Sequence, residues 1–175
     1  MKIFTILLLY LTIAGCCKFG NPGPVTVVAK PDTVADGGYI GITAINTNDT
    51  THNRDEILLQ YNHTTLSIYQ PGSDARYFAG FGQLNLCSLS SDSIYLTVNT
   101  QPYKAGKPID LRLNIKNAGQ YYFRISQFSG IPASLKVWLK DTKLSDSLNL
   151  RTGNYNFTSS IITVADSTRF KIIIR

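Results

Sequence analysis

Ile109-Asp110-Leu111-Arg112-Leu113-Asn114-Ile115-Lys116 alternates apolar and polar side chains without a break. In an extended strand successive side chains leave opposite faces, so this segment offers one face to a core and one to water. Related strand signals recur at Tyr39 to Ile45, Glu56 to Tyr61, Thr65 to Tyr69, Ser93 to Val98, Tyr121 to Ile125, Leu135 to Lys140, Tyr155 to Ser159 and Arg169 to Ile174. Turn formers separate them, among them Asp36-Gly37-Gly38 and Asn117-Ala118-Gly119. No window carries a capped 3.6-residue period. Short strands with turns between them predict an all-β fold, a single antiparallel β-sandwich of jelly-roll type.

The N-terminus follows a different logic. Lys2 supplies a positive charge, Ile3 to Ile13 an apolar run, and Ile13-Ala14-Gly15-Cys16 follows. The run is too short for a spanning helix, which needs about 20 residues. Small residues ahead of a cysteine resemble the bacterial lipobox. That resemblance implies a lipoprotein signal peptide over residues 1–15 and acylation of Cys16. At about 0.8 kcal/mol per buried methylene, a multi-acyl anchor is effectively permanent. Residues 16–37 then form the lipidated cysteine and a tether punctuated by Gly and Pro, and residues 38–175 the β-sandwich domain. Cys17 would sit at the membrane surface. Cys87, inside Leu84-Asn85-Leu86-Cys87-Ser88-Leu89, is expected to be a small buried hydrophobe, with a Cys17–Cys87 disulfide as the alternative in an exported chain.

Composition removes most catalytic chemistry. The chain has 175 residues, and Glu56 is its only glutamate. A glycosidase needs two placed carboxylates, but Asp55 and Glu56 are adjacent and leave opposite faces of a strand, which suits a strand entry better. No Gly-x-Ser-x-Gly elbow and no phosphate-cradling glycine loop occurs. His52 and His63 lie in polar stretches expected to be solvated loops. Asn46, Asn48, Asp49, Asn53, Asp55 and Glu56 gather oxygen ligands of the kind calcium takes, but turn chemistry at a hairpin explains the cluster more simply. The sequence therefore points to no catalytic residue, no metal and no cofactor.

Binding remains. Tyr69, Tyr77, Phe78, Phe81, Tyr121 and Tyr122 are aromatics that could stack sugar rings, although most aromatics of a small β domain are core or cross-strand partners. The formal net charge is +6, and +5 once Lys2 is lost, without a basic run. That weakly favours acidic glycans or anionic headgroups, and nucleic acid is not an expected partner outside the cell. Exposed coplanar aromatics on one face would favour a glycan-binding module. Their burial would favour a structural or protein-interaction role.

Five triplets stand out: Asp32-Thr33-Val34, Asp49-Thr50-Thr51, Asp92-Ser93-Ile94, Asp146-Ser147-Leu148 and Asp166-Ser167-Thr168. They resemble the acceptor for general O-glycosylation of exported Bacteroidetes proteins, which implies Thr33, Thr50, Ser93, Ser147 and Ser167 as sites. Turn chemistry at strand ends is the competing account.

Longer motifs point the same way. Tyr39-Ile40-Gly41-Ile42, Glu56-Ile57-Leu58-Leu59, Gly72 to Phe78, and Leu86-Cys87-Ser88-Leu89 occur in this order. Pro132 to Asp141, Leu148-Asn149-Leu150, Tyr155-Asn156-Phe157-Thr158 and Asp166 to Phe170 complete it. Together they resemble a β domain of exported Bacteroidetes proteins that commonly precedes a type IX secretion sorting domain. Cys87 stands where that domain usually has Tyr, and the lipobox is expected to take the place of its sorting domain. The resemblance implies fold and phylum but no reaction. With the lipobox it implies an outer-membrane lipoprotein with an envelope protein or glycan as partner. The intact mass of the protein from its host is expected to show acyl groups on Cys16, and Cys16→Ser should move it from the detergent phase to the soluble fraction. Mass beyond polypeptide and lipid would report the sugars; its absence would leave the triplets as turns.

Overall fold

A computed structural model describes residues 33–78, 82–160 and 169–175. Eleven strands, and no helix among the described residues, make up the fold. They are β1 (Tyr39–Asn46), β2 (Asp49–Tyr61), β3 (Ala75–Arg76), β4 (Leu84–Leu89), β5 (Tyr95–Gln101), β6 (Pro108–Ile115), β7 (Gly119–Ser129), β8 (Val137–Asp141), β9 (Asp146–Asn149), β10 (Tyr155–Ser159) and β11 (Phe170–Ile174). The all-β expectation holds. Hydrogen bonding runs through one sheet in the order β10-β7-β1-β2-β5-β4-β6-β11-β8-β9, with β3 on β5. The expected antiparallel pairing holds at every junction but one, because β2 and β5 run parallel.

Alternation places the core. Leu111, Leu113 and Ile115 of β6 face inward with Leu84 and Leu86 of β4, Ile40 and Ile42 of β1, and Ile57 and Leu59 of β2. The sheet curls until its two ends meet across this core, in a nearly closed, barrel-like form. Phe170 of β11 lies 4.8 Å from Phe123 of β7 and 5.0 Å from Phe157 of β10, centroid to centroid. Beside them the buried Arg169 guanidinium reaches Asp141 of β8, Nη2 to Oδ2 at 2.7 Å. The Tyr155 hydroxyl of β10 donates to the same carboxylate at 3.1 Å. At the β6–β7 corner the Tyr121 hydroxyl donates to the Asn117 carbonyl at 2.7 Å, which fixes the direction in which β7 leaves.

Several boundaries differ from the sequence expectation. β2 starts at Asp49, so His52 and the Asp55-Glu56 pair lie within a strand and not in a loop or at a strand entry. Its first half is polar because much of it is exposed, which hides it from an apolar count. Residues 65–69 are not a strand. Their backbone is served by side chains: Gln70 Oε1 accepts from the Leu66 amide, and Asp92 Oδ1 from that of Tyr69. Residues 34–37, assigned to the tether, pack on the sheet. Val34 is buried, and the Ala35 and Gly37 amides donate to the Gly130 and Tyr61 carbonyls.

Asp141 gives the fold a testable pH signature. Burial raises its carboxyl pKa, but the Arg169 hydrogen bonds and charge outweigh that and hold it below the ordinary value. A lowered native pKa stabilises above the unfolded value, near 3.9, and that contribution is lost as pH falls through the native value. Asp141→Leu is expected to cost about 3–5 kcal/mol at neutral pH, because it leaves Arg169 buried and unpaired. Urea unfolding should show a smaller loss for Asp141→Leu combined with Arg169→Met. The wild-type advantage over the single variant should shrink below about pH 4.

Candidate functional site

The face of the sheet opposite the core carries a polar groove where β5, β4 and β6 lie side by side. Register builds it. Asn85 pairs with Asn114 and Cys87 with Arg112 across β4 and β6, while Leu89 pairs with Tyr95 across β4 and β5. Because Leu84 and Leu86 point into the core, Asn85 and Cys87 must point the other way. Tyr77, just after β3, donates its amide to the Tyr95 carbonyl at 2.9 Å and its hydroxyl to Asn85 Oδ1 at 2.8 Å. The Arg112 guanidinium crosses β4 and lies over the Tyr95 ring, its carbon 4.4 Å from the ring centroid. Tyr77, Asn85, Cys87, Tyr95, Arg112 and Asn114 enclose about 230 Å³. Phe78, 84% exposed, follows Tyr77 in the chain.

Beneath the groove Asp55 bridges β2 and β4. Its Oδ2 accepts from the Leu86 amide at 2.7 Å and its Oδ1 from that of Glu56 at 2.9 Å. The carboxylate thus satisfies a β4 amide for which no pairing strand is in place. Burial raises the Asp55 pKa, and the hydrogen bonds from Leu86, Glu56 and Tyr77 act against that rise. Glu56 faces the other side, where Ser126 Oγ donates to it at 2.8 Å. The two carboxylates are separated by the sheet and cannot act on one substrate.

Cys87 is buried and unpaired among the described residues, as expected of a small hydrophobe; Cys17 lies outside them. Burial pushes its thiol pKa up to about 12, against the pull of the Arg112 charge. It is a wall of the groove, and its raised pKa disfavours the thiolate, the reactive form.

The other expected sites are dispersed. Cys16 and Ser167 lie outside the described residues. Thr33, Thr50, Ser93 and Ser147 are all exposed. Their aspartates are also engaged locally: Asp49 accepts from the His52 amide, Asp146 from the Ser147 amide, and Asp92 from the Ser90 hydroxyl. Ser93 has φ of 65°, a left-handed turn position. The oxygen cluster of residues 46–56 does not converge. Asn46 Oδ1 accepts from the Asn48 amide in the hairpin turn, and Asp55 and Glu56 diverge. No group of three His, Cys, Asp or Glu converges among the described residues. His63 is exposed and contacts Asp36. Of the aromatics, Tyr121 is core, Tyr69 lies under Arg76, Tyr77 lines the groove, Phe78 is exposed, Tyr122 is half-buried, and Phe81 lies outside the described residues.

Sequence reasoning missed Asn85, Tyr95, Arg112 and Asn114 as groove residues. The available signal was the strict alternation of 109–116, which put Arg112 and Asn114 on the wet face.

Residues 43–174 match the family described as a domain of unknown function, DUF8693. The chain belongs to this family. The match runs from within β1 to the last residue of β11, so the DUF8693 domain is nearly the whole sheet and includes every groove residue. No curated protein and no solved structure matches the chain.

In a Cys17→Ser variant at pH 8, Ellman's reagent should label native Cys87 roughly a thousandfold more slowly than the unfolded chain, because so little thiolate forms. Labelling at the unfolded rate would show that the thiol is open and ordinary.

Proposed function

We propose that this DUF8693 protein is a non-enzymatic, lipid-anchored envelope protein that works by binding a glycan at the outer membrane. The observation that carries this reading is the groove over β5, β4 and β6. It combines two aromatics, Tyr77 and Tyr95, the Arg112 guanidinium over the Tyr95 ring and two cross-strand amides on one face. Sugar-binding sites combine these elements, ring faces for C–H surfaces and amides for hydroxyls. The anchor rests on the apolar run that ends at Ala14-Gly15-Cys16, and the envelope setting on the resemblance to exported Bacteroidetes β domains. We read the sheet as a jelly-roll-like sandwich whose halves pack face to face. The Tyr121 hydroxyl bond to a carbonyl four residues upstream supports this, since β-sandwiches use such a tyrosine corner. The opposed directions of Asp55 and Glu56 support a role without catalysis.

A structural or protein-interaction role is the second reading, and one observation favours it. β10 pairs with β7 only over Gly119 to Phe123, so the later part of β7 lacks β10 as a neighbour there. In that part Phe128 is half exposed with Arg151 4.8 Å over its ring.

Affinity electrophoresis separates the two. The detergent-solubilised full chain should be retarded in gels that contain surface polysaccharide of its host. Tyr77→Ala combined with Tyr95→Ala should lose most of that retardation, since each aromatic contact is worth about 0.5–1.5 kcal/mol. Equal mobility with and without polysaccharide would sink the glycan reading and leave the β7 face to be tested by cross-linking.

A further inference from the structure

We infer that the end of the sheet around Leu66 and Ile68 docks on an anionic lipid surface, with these two side chains set into the headgroup layer beside Lys104 and Lys107. This rests on the lipid-anchor reading and says which end of the domain turns to the membrane.

One end of the fold gathers the segments involved. β2 and β5 finish there side by side, Tyr61 opposite Gln101. The Asn62 amide donates to the Gln101 carbonyl at 3.1 Å, the Gly106 amide to that of Ile174 at 2.8 Å, and the Lys136 amide to that of Arg175 at 2.8 Å. Residues 62–70 form a loop at this end, and its backbone is fixed from several sides. The Thr65 hydroxyl donates to the Asn62 carbonyl at 2.7 Å, and the Ser67 carbonyl accepts from the Ser91 amide at 2.8 Å. Gln70 and Asp92 take the Leu66 and Tyr69 amides. Ser67 is held by its side chain too, since Lys107 Nζ donates to Ser67 Oγ at 2.7 Å. Its neighbours are left in water: Leu66 is 55% and Ile68 45% exposed. A slack loop would fold these side chains against the sheet to escape water. This frame holds them out, so their exposure is built in.

Charge fits a lipid surface. Lys104, Lys107, Lys136 and Arg175 share this end, and Arg76 lies over Tyr69 at the close of the loop. Asp36, Asp74 and Asp92 stand against them, and each accepts from a backbone amide, of His63, Thr100 and Tyr69. An N–H donor offsets part of each carboxylate's field, so the end stays net positive. Apolar side chains beside cations are what an interface of anionic lipid binds, through buried apolar area plus attraction to the headgroups. A specific protein partner would need about 800 Å² on this side, far more than two side chains offer.

The entry of the chain selects the same end. The Gly37 amide donates to the Tyr61 carbonyl at 2.9 Å, and Asp36 Oδ1 accepts from the His63 amide at 2.8 Å. Cys16, the proposed acyl site, precedes these residues in sequence, so the anchored segment leads into this end of the sheet and not the far one. Anchoring makes contact with the bilayer intramolecular, and a tip of low intrinsic affinity then suffices. The far end supplies a comparison. β8 runs from Val137 opposite Ile174 to Asp141 opposite Phe170, and Leu144, 59% exposed, lies beyond it in the β8–β9 turn.

The test places one indole at either end of the full chain, reconstituted in vesicles of phosphatidylcholine with and without phosphatidylglycerol. Trp138 is the only tryptophan, so Trp138→Phe gives a silent background for Leu66→Trp or Leu144→Trp. Brominated phosphatidylcholine should quench Leu66→Trp in the anionic vesicles and leave Leu144→Trp unquenched. Lys104→Gln should lower the ratio of lipid-immersed to water-exposed indole about fivefold in anionic vesicles, as one cation near such a surface provides, and leave it unchanged in phosphatidylcholine alone. Melting temperatures check folding; if Trp138→Phe does not fold, the two variants are compared by the quenching they add to that of Trp138. Flotation and intact mass report the anchor separately. A chain that floats with the vesicles while both indoles stay in water, or are quenched alike, keeps the anchor and overturns the tip. Quenching at Leu66→Trp in a chain without acyl mass overturns the anchor and keeps the tip. A chain that does not float overturns both. Shielding of Leu66→Trp from iodide without quenching by bromolipid puts protein on this end and overturns the lipid assignment.

Discussion

The buried Asp141 carboxylate holds the two ends of the sheet together. It accepts from Arg169 Nε and Nη2, from the Tyr155 hydroxyl, and from the Lys143 and Leu144 amides. The partners come from both ends of the sheet order: β10 supplies Tyr155, and β8 and β11 bring Asp141 and Arg169. Burying an ion pair costs several kcal/mol per ion, and attraction offsets this only when the remaining lone pairs are satisfied. Here every oxygen has a donor, and the guanidinium also lies over the Phe157 and Phe170 rings at 5.1 and 4.6 Å. The pair's value is in specificity. An aromatic core would tolerate sliding of one sheet end against the other, whereas a displaced carboxylate would strand a buried charge.

With the ends fixed, the rest of the curl follows from the core, and the outer face of β4 and β6 is set as a consequence. Alternation cannot bury Leu84, Leu86, Leu111 and Leu113 without presenting Asn85, Cys87, Arg112 and Asn114 on the other side. A one-residue slip between β4 and β6 would exchange the two sets. The groove is thus positioned by the same leucines that stabilise the domain, and its geometry is as rigid as the core beneath it. Asp55 adds to that rigidity by taking the Leu86 amide where the parallel β2–β5 pairing stops short.

How far the sequence foretold this depends on the element. Strands with one wet face, such as β6, β10 and β11, announced themselves by period two. The first half of β2 did not, because Asp49 and Arg54 to Glu56 are held by pairing with β1 and not by apolar burial. Thr65 to Tyr69 gave a false strand signal: the β-prone residues are there, but their amides are claimed by Gln70 and Asp92. The parallel β2–β5 pair was invisible, since strand order is a property of the connections. The groove was invisible for a related reason. Its residues come from segments near 77, 85, 95 and 112, and no spacing rule joins them until register does.

Arg112 shows why the residue type on the wet face matters more than its charge. A lysine at this position would reach the same place, but as a hydrated point charge on a flexible stem. Its ammonium would lose little by staying in water, and nothing would hold it over β4. The guanidinium is more weakly hydrated and planar, so it can rest over the Tyr95 ring, 4.4 Å from its centroid. Tyr95 is itself held by the Tyr77 amide on its carbonyl, and Tyr77 by Asn85. These residues form a chain of contacts, from Arg112 through Tyr95 and Tyr77 to Asn85, that passes through the backbone of β5. The outer face of β4 and β6 is therefore held by side-chain contacts as well as by the leucines beneath it.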